Sequence, residues 1–375
     1  MKKQRTNEYG ISEENALVPQ LHKSCRTQLL RMHRAHRVKK SREIKRKCLD
    51  RGNDPVAHNV KRKKISQSNS VNGPRIVLQG SQTLACKGLR NLGNSCYFNA
   101  IIQCLFHCPT FTTAIGKLPL EVFSVDVINH LRILFRNITS TGSLPYVTPE
   151  ECLTSVLNTA ECKAAGMLKG PQQDASEFLC HLLEHFHEKC RTLSNLFEGQ
   201  FVSTHKCQLC SHSYLTNQSF RQYTLQMDVP LAHGTQTLDL YNLIDNFHRA
   251  EVIEDFPCRG CDSEDSTEKQ LSIIALPKIL VIHLARFRGL EKINDFVRFP
   301  EQASINYKID NSEYNKQYRS MGMVVNIGSS IAQGHYVSFV RVGVNWMRAD
   351  DEIVTEIRFQ NVRRKKAYIL FYEQV

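Results

Sequence analysis

The segment GLRNLGNSCYFN, residues 88–99, places Cys96 where a loop rich in glycine and asparagine meets a helical pattern of apolar residues. A thiol at the start of a helix lies near the positive end of the helix dipole and near free backbone N–H groups, which lower its pKa. Asn91 carries a side-chain amide that can donate to a developing oxyanion. A cysteine taken alone is more often a buried apolar residue, as we expect for Cys104 and Cys108. In this setting, the segment predicts that Cys96 is a nucleophile.

A cysteine nucleophile needs a base, and the base needs an acceptor that orients it. His335 begins a predicted strand, and Asp350 follows a predicted hairpin turn around Gly343 and Asn345. Two antiparallel strands joined in this way bring His335 and Asp350 side by side, because the turn lies about midway between them. A histidine without such a partner is more often a surface residue or a satisfied core residue. The pairing therefore favours His335 as the base and Asp350 as its acceptor.

A separate set of cysteines forms two CxxC pairs, Cys207 with Cys210 and Cys258 with Cys261. Two such pairs are typical of a tetrahedral site in which four thiolates bind a structural zinc ion. The intervening segment, residues 211–257, is longer than in simple zinc ribbons, so we expect it to hold structure of its own. The pattern predicts structural zinc, and the alternative is four unrelated thiols.

The basic excess of the chain is confined to one part of its 375 residues. Residues 1–87 carry +15 and residues 88–375 carry −2, which together give the formal net charge of +13. The basic cluster Lys61–Lys64 lies beside a run rich in serine and asparagine, which is typical of an exposed, flexible segment. We therefore expect residues 1–87 to be a largely disordered basic tail. Such a tail is a candidate nuclear localisation signal or anchor on nucleic acid or an acidic protein surface, and a merely solubilising tail is the alternative.

No apolar run is long enough to cross a bilayer, and the basic N-terminus, Met1–Arg5, is not followed by an apolar stretch. The sequence therefore predicts neither a membrane span nor a secretory signal. In a reducing compartment the 14 cysteines are expected to be thiols, metal ligands or a nucleophile, and not a disulfide framework.

The period of the apolar residues changes along residues 88–375. Helical spacing comes first and predicts helices over Cys96–Cys108, Asp126–Asn137 and Pro171–Cys190. Strand-like runs follow, and they predict strands over Phe201–Thr204, Tyr223–Val229, Gln270–Ala275, Ile279–Leu284, Gly322–Asn326, Tyr336–Val340 and Tyr368–Tyr372. Helices followed by strands predict the α+β class.

Four motifs resemble, in the same order along the chain, those of the ubiquitin-specific proteases, a family of deubiquitinating cysteine proteases. They are the cysteine box Gly88–Cys104, the inner motif Gln172–Leu179, the two CxxC pairs and the histidine box Gly334–Asp351. The resemblance implies one catalytic domain over residues 88–375. It also implies a papain-like fold shaped like a right hand, with a helical thumb, a β-rich palm and zinc-stapled fingers over about residues 198–275.

The resemblance implies a role for each matching position of the catalytic centre. Cys96 corresponds to the nucleophile, His335 to the general base and Asp350 to the residue that orients the base. Asn91 corresponds to the oxyanion donor, and Asp351 to an adjacent acid that polarises the centre. Three positions depart from the family pattern, namely Ser95, Ala285 and Met347, and none of them belongs to the triad.

Further positions resemble those that meet the tail of ubiquitin, which is basic and ends in Gly-Gly. Asp174 and Glu177 lie at an acidic helix end that suits the arginines of this tail, and Gln172 belongs to the same motif. Gly334 suits a channel that only a diglycine can thread. These four residues are the predicted substrate contacts.

The resemblance implies a deubiquitinating thiol protease that hydrolyses the isopeptide or peptide bond after the C-terminal glycine of ubiquitin. Within the family, Ser266–Leu271, His335–Phe339 and Tyr368–Tyr372 are similar to the histone-deubiquitinating subunit of the SAGA coactivator. This similarity implies ubiquitylated proteins, including histones, as substrates and coactivator-complex subunits as partners. It implies a nuclear location, with the cytoplasm as a second compartment.

Two other classes of function stay open. A catalytically silent scaffold would bind ubiquitin without cutting it, but its signature is a missing triad residue, and none is missing. A nucleic-acid-binding zinc protein would bind DNA through residues 88–375, and their net charge of −2 argues against it.

Overall fold

The computed structural model describes most of the second part of the chain, namely residues 86–119, 126–227, 238–262, 264–288, 291–309, 312–328 and 334–375. The expectations for the basic tail lie outside these residues. Helices come first and strands later, so the predicted α+β class is confirmed. Among the described residues, no helix is both long and apolar enough to span a membrane.

Amphipathic helices dominate the first half of the described chain. The helices are α1 (Cys96–Phe106), α2 (Pro109–Lys117), α3 (Asp126–Thr139), α4 (Glu150–Leu157), α5 (Ala160–Ala164), α6 (Ala175–Lys189), α7 (Arg191–Ser194), α8 (Leu240–Phe247) and α9 (Phe359–Val362). Every residue of α1 is buried, so this helix lies at the centre of the helical half. The helices predicted at α1 and α3 are found with ends close to the predicted ones.

The third predicted helix, Pro171–Cys190, starts later than the sequence suggests. Helix α6 begins at Ala175, because Asp174 has extended backbone dihedrals and caps the helix. The Asp174 carboxylate accepts from two backbone N–H groups of the first turn, at 2.8 and 3.0 Å. This cap satisfies donors that have no partner inside the helix. Pro171 therefore precedes α6 and does not open it.

Strands make up most of the second half. They are β1 (Gly88–Leu89), β2 (Tyr146–Val147), β3 (Gly199–Cys207), β4 (Ser213–Phe220), β5 (Tyr223–Gln226), β6 (Leu238–Asp239), β7 (Glu251–Pro257), β8 (Glu264–Ala275), β9 (Ile279–Ala285), β10 (Phe287–Arg288), β11 (Glu291–Lys292), β12 (Val297–Arg298), β13 (Gln302–Ile309), β14 (Ser312–Ile327), β15 (His335–Val342), β16 (Asn345–Asp350), β17 (Ile353–Ile357) and β18 (Ile369–Gln374). Every predicted strand overlaps one of these. The end of the strand predicted over Tyr223–Val229 lies outside the described residues.

An eight-stranded sheet forms the centre of the second half. Seven of its strands follow the order β17-β16-β15-β14-β18-β9-β5, and β13 pairs with β14. Strand β14 has 16 residues and is the central strand of this sheet, since β13, β15 and β18 all pair with it. The hairpin between β15 and β16 closes at residues 343 and 344, after Val342 pairs with Asn345. The predicted turn is therefore found.

Both faces of the eight-stranded sheet are covered, which explains why its strands read as nearly continuous apolar runs. Side chains on one face, such as Val324 and Ile369, pack into a core with the helices. Alternate side chains on the other face, such as Met323 and Leu370, join a second core that includes Trp346. The helix that carries Cys96 is thus packed on one face of this sheet.

A separate sheet has four strands in the order β4-β3-β8-β7. One CxxC pair lies where β3 turns into β4, and the other lies between β7 and β8. The base of the sheet is anchored by Phe201, which stacks on Phe220 at 4.1 Å and belongs to the second core. Its outer strand β4 is mostly exposed. This sheet occupies the segment predicted as the fingers.

Candidate active site

The Cys96 thiol lies at the first residue of α1 and is only 2% exposed. Its Sγ accepts from the backbone N–H of Tyr336 at 3.4 Å and from Gln172 Nε2 at 3.5 Å. Burial by itself raises the pKa of Cys96, but hydrogen bonds from His335, Tyr336 and Gln172 outweigh it and lower the pKa below its ordinary value. The site therefore favours a thiolate at this position.

His335 and Asp350 lie at the start of β15 and the end of β16. His335 Nε2 and Asp350 Oδ1 are 2.6 Å apart, and Arg348 also donates to the Asp350 carboxylate. Hydrogen bonding to Cys96, together with the contact to Asp350, raises the pKa of His335 to about 9 although burial opposes it. The imidazole thus holds its proton while Cys96 holds a negative charge, so the pair titrates as one unit. The β15–β16 register places the two residues diagonally rather than directly opposite each other, because Ser338 pairs with Ala349.

The loop before Cys96 is tied to the turn after Asp350. Asn91 Nδ2 donates to Asp351 Oδ2 at 2.7 Å, and Asn99 Nδ2 donates to Asp351 Oδ1 at 2.8 Å. The Asn91 backbone N–H donates to Glu352 Oε1 at 2.8 Å. Asp351 has a φ of 51°, and burial raises its pKa. A Cβ at Gly88 would lie 2.3 Å from the backbone oxygen of Glu352, so only glycine fits this close approach.

These contacts fix the direction of the Asn91 amide. Its Oδ1 accepts from the backbone N–H groups of Gly93 and Ser95, at 3.0 and 3.2 Å. Ser95, a departure from the family pattern, also accepts from the Leu92 N–H through Oγ at 2.8 Å and so helps to shape the loop. An amide nitrogen carries two hydrogens, and Asp351 takes one of them. The second N–H is the one that can serve an oxyanion.

The predicted substrate contacts are placed around this centre. Gln172 lies against the Cys96 sulfur. Asp174, besides capping α6, accepts from two phenol groups through Oδ2, and Glu177 lies in the first turn of α6. Gly334 precedes His335 directly. Their contact with a substrate stays a prediction.

Several contributors were not foreseen from the sequence. Tyr336 and Tyr368 donate to Asp174 Oδ2 at 3.0 and 2.7 Å, which connects the cap of α6 to the strand that carries His335. Glu352 and Asn99 hold the cysteine loop from two sides. The adjacency of Tyr336 to His335 was the available signal for the first of these. Tyr368 and Glu352 have no such local signal, because their partners Asp174 and Asn91 lie 194 and 261 residues away along the chain. Asn99 donates to the nearby Leu89 and Arg90 carbonyls, but its contact with Asp351 spans 252 residues.

The two CxxC pairs come together at the tip of the four-stranded sheet. The sulfur atoms of Cys207, Cys210, Cys258 and Cys261 all lie within 4.8 Å of one another, a cluster that could hold a metal ion. Both pairs form the same turn. Ser211 and Asp262, the residues after the second cysteines, have φ values of 59° and 52°. Their N–H groups donate to the carbonyls of the first cysteines, each at 3.0 Å.

The chemistry of this cluster suits a soft divalent cation. The Gly260 N–H donates to Cys258 Sγ at 3.3 Å and thereby lowers the pKa of that thiol to about 7. Four cysteine sulfurs are the ligand set that zinc prefers in structural sites. None of the cysteines among the described residues forms a disulfide.

Comparison with known proteins decides the family. The sequence profile of the family described as ubiquitin carboxyl-terminal hydrolase matches residues 87–372. The chain belongs to this family. The predicted family, the predicted right-hand α+β fold and the predicted enzyme class, a ubiquitin-specific cysteine protease, are therefore confirmed.

This ubiquitin carboxyl-terminal hydrolase is similar to named members of the family. It is 28% identical over 336 residues to ubiquitin carboxyl-terminal hydrolase 8 of Saccharomyces cerevisiae, covering 76% of this chain and 70% of the relative. It is 27% identical over 380 residues to human ubiquitin carboxyl-terminal hydrolase 22, covering 85% and 69%.

The fold of the hydrolase is similar to that of a solved assembly. Against the structure of the SAGA Ubp8/Sgf11/Sus1/Sgf73 DUB module bound to ubiquitin aldehyde, the TM-score is 0.67 at 24% identity, covering 80% of this chain and 72% of that chain. A second structure of the module, bound to monoubiquitin, gives a TM-score of 0.64 at 24% identity, covering 80% and 72%.

Proposed function

We propose that this hydrolase cleaves the isopeptide or peptide bond after the C-terminal glycine of ubiquitin, with Cys96 as its nucleophile. The observation that carries the proposal is the setting of the Cys96 sulfur. It lies at a helix N-terminus, accepts the Tyr336 N–H and is hydrogen-bonded to His335, whose other contact is Asp350. This is the arrangement that acyl transfer to a thiolate requires.

In the first half of the reaction, the Cys96 thiolate forms a C–S bond to the carbonyl carbon of ubiquitin's last glycine. The carbonyl oxygen becomes anionic, and the free N–H of Asn91 donates to it. When this intermediate collapses, the C–N bond breaks and His335 gives its proton to the departing amine. Asp350 and Asp351 hold the imidazole and the amide in place, respectively.

In the second half, water hydrolyses the thioester. His335 takes a proton from the water as the new C–O bond forms, and Asn91 again faces the oxyanion. Collapse breaks the C–S bond, releases ubiquitin with a free carboxylate and restores the Cys96–His335 pair. The reaction proceeds in two steps because a thiolate is a far better nucleophile near neutral pH than water.

The pH profile of hydrolysis tests this pairing directly. With a ubiquitin C-terminal fluorogenic amide as substrate, kcat/KM is expected to rise as Cys96 loses its proton, at a pH below that of an ordinary thiol. It is expected to fall near pH 9, where His335 loses the proton that the leaving amine needs. Asp350→Asn removes a group that raises the His335 pKa, so the alkaline limb moves to lower pH and kcat/KM falls by about ten- to a thousandfold. An alkaline limb that stays in place in this variant would contradict the assigned role of Asp350.

We infer that the four-cysteine cluster binds a structural zinc ion through Cys207, Cys210, Cys258 and Cys261. Bound zinc would crosslink the two hairpin tips. Since all four positions of a tetrahedral ion would be filled by sulfur, no position is left for a substrate, which supports a structural role. The Gly260 N–H, by stabilising a thiolate at Cys258, prepares the site for the cation.

We also propose that the enzyme removes ubiquitin from histones in the nucleus, with coactivator subunits as partners. The cytoplasm is a second proposed compartment. The support is similarity, since two solved structures similar to this chain are SAGA DUB modules containing Sgf11, Sus1 and Sgf73. The positive charge of the chain is concentrated in residues 1–87, whereas the catalytic segment is slightly negative. We therefore propose that the tail binds nucleic acid.

The tail proposal predicts a salt-dependent effect on nucleosomes. Deleting residues 1–85 is expected to leave cleavage of the fluorogenic ubiquitin amide unchanged within about twofold. On ubiquitylated nucleosomes at low salt the same deletion should lower kcat/KM by about tenfold, and the difference should shrink as salt is raised. Equal rates on nucleosomes with and without the tail would assign it no role on nucleic acid.

A further inference from the structure

A lysine outside the catalytic groups binds the end of the strand that pairs with His335. Lys292 is the last residue of β11, and its Nζ donates to three oxygen atoms at and just after the end of β14. These are the backbone oxygen of Asn326 at 2.8 Å, the side-chain Oδ1 of Asn326 at 2.8 Å and the backbone oxygen of Gly328 at 2.7 Å. An ammonium group has three N–H donors, and these three oxygens account for all of them.

The hairpin that carries Lys292 is itself fixed to the sheet. Arg286, only 1% exposed, lies just before β10. Its guanidinium donates to the backbone oxygens of Ala367, Ile293 and Asp295 at 2.5, 3.1 and 2.7 Å. The Ile293 N–H returns a hydrogen bond to the Arg286 carbonyl at 2.7 Å. The residue after Lys292 is thus hydrogen-bonded to Arg286, and the ammonium reaches β14 from this anchored segment.

Lys292 thereby acts on the part of β15 that supplies the active site. Asn326 pairs with Tyr336 across the β14–β15 ladder. The Asn326 amide is also packed against Gly334, where a Cβ would lie 2.3 Å from Nδ2. The contact between Lys292 and Oδ1 sets the direction of that amide. Because His335 follows Gly334 directly, the position of the amide constrains both residues.

We propose that Lys292 is a positioning residue that fixes the wall of the substrate channel at Gly334. The inference rests on the proposed function, since it concerns the path by which the tail of ubiquitin reaches Cys96. With an apolar side chain at position 292, three oxygen atoms lose their shared donor and the Asn326 amide is free to turn. The channel wall then loosens, while the groups around the Cys96 sulfur keep their own contacts.

The test compares Lys292→Met with Lys316→Met. Lys316 is a matched control because it lies on the same strand, β14, and its Nζ donates to the backbone oxygen of Leu276 at 2.8 Å. In steady-state hydrolysis of the ubiquitin amide, Lys292→Met is expected to lower kcat/KM by about tenfold or more, chiefly by raising KM. Lys316→Met is expected to change it by less than about twofold.

A second measurement separates positioning of the tail from support of the nucleophile. Alkylation of Cys96 by iodoacetamide, followed on its peptide by mass spectrometry, requires no tail and is expected to keep its wild-type rate in Lys292→Met. Lys292→Arg keeps a cation with several donors, so it should recover part of the lost affinity.

Several results would overturn the inference. If the wild type is active and Lys292→Met has the same kcat/KM, the inference is overturned while the proposed function stands. The inference is also overturned if Lys316→Met loses as much of its kcat/KM as Lys292→Met does. A loss of alkylation equal to the loss of hydrolysis would do the same, because Lys292 would then support the thiolate. If the wild type hydrolyses no ubiquitin amide, the proposed function fails and this inference fails with it.

Discussion

Cys96→Ala is expected to lower hydrolysis of a ubiquitin C-terminal amide by about ten thousandfold or more, while the affinity for ubiquitin stays within about tenfold of wild type. The reason is that the sulfur forms the covalent bond of the proposed reaction, whereas the variant leaves the predicted ubiquitin contacts at Asp174, Glu177 and Gly334 in place. Initial rates with the fluorogenic amide measure the first effect. Binding of free ubiquitin, followed by calorimetry, measures the second.

Cys104→Ala is the matched control for this prediction. Cys104 lies in the same helix and is fully buried, and burial raises its pKa, so it stays a neutral thiol. Its loss leaves a small cavity beside Gly322 and should cost about 1 kcal/mol of stability without a comparable loss of activity. Equal and negligible hydrolysis by the wild type and Cys96→Ala, with ubiquitin still bound, would support the catalytically silent scaffold instead.

Cys258→Ser is expected to abolish zinc binding and to raise the KM for ubiquitin substrates by about ten- to a hundredfold. Structural zinc contributes roughly 10–16 kcal/mol of apparent binding free energy to small zinc domains, so losing one thiolate removes most of what holds the two hairpin tips together. Metal analysis should find about one zinc per wild-type chain and almost none in the variant. Limited proteolysis should cut the variant first between Cys207 and Cys261.

The active site supplies an internal reference for the zinc prediction. Alkylation of Cys96 in Cys258→Ser should proceed at the wild-type rate, because the cluster lies at the far end of β3 and β8 from the core. Cys180→Ser, which changes an exposed cysteine of α6, should leave both metal content and KM unchanged. Full activity together with unchanged zinc in Cys258→Ser would show that the four cysteines are unrelated thiols.

Local patterns were enough to predict much of this molecule. The apolar spacing of α1 and the nearly continuous apolar run of β15 follow from their burial, which a sequence displays directly. The hairpin between His335 and Asp350 was foreseeable because its turn contains Gly343, whose φ of 61° suits a tight two-residue connection. The repeated CxxC spacing indicated the metal cluster for the same reason, since each turn is complete within a few residues.

Other features depend on pairs of residues that no short window contains. Asp174 reads as an acidic helix end, yet its second oxygen is taken by two tyrosines, and one of them is 194 residues away. Glu352 holds the backbone of Asn91 across 261 residues. Lys292 has no signature in the sequence, because its three acceptors are carbonyl-type oxygens that any sequence could supply. Position in the sheet order, such as β18 between β14 and β9, is likewise set by global packing.

The location of β18 has a consequence for the order in which the eight-stranded sheet is completed during synthesis. The ribosome makes Cys96 early, but the sheet that carries its partners contains a gap between β14 and β9 until residues 369–374 have emerged. Strand β18 follows every other strand of this sheet in the sequence, so β14 and β9 are joined only after all of those strands have been made.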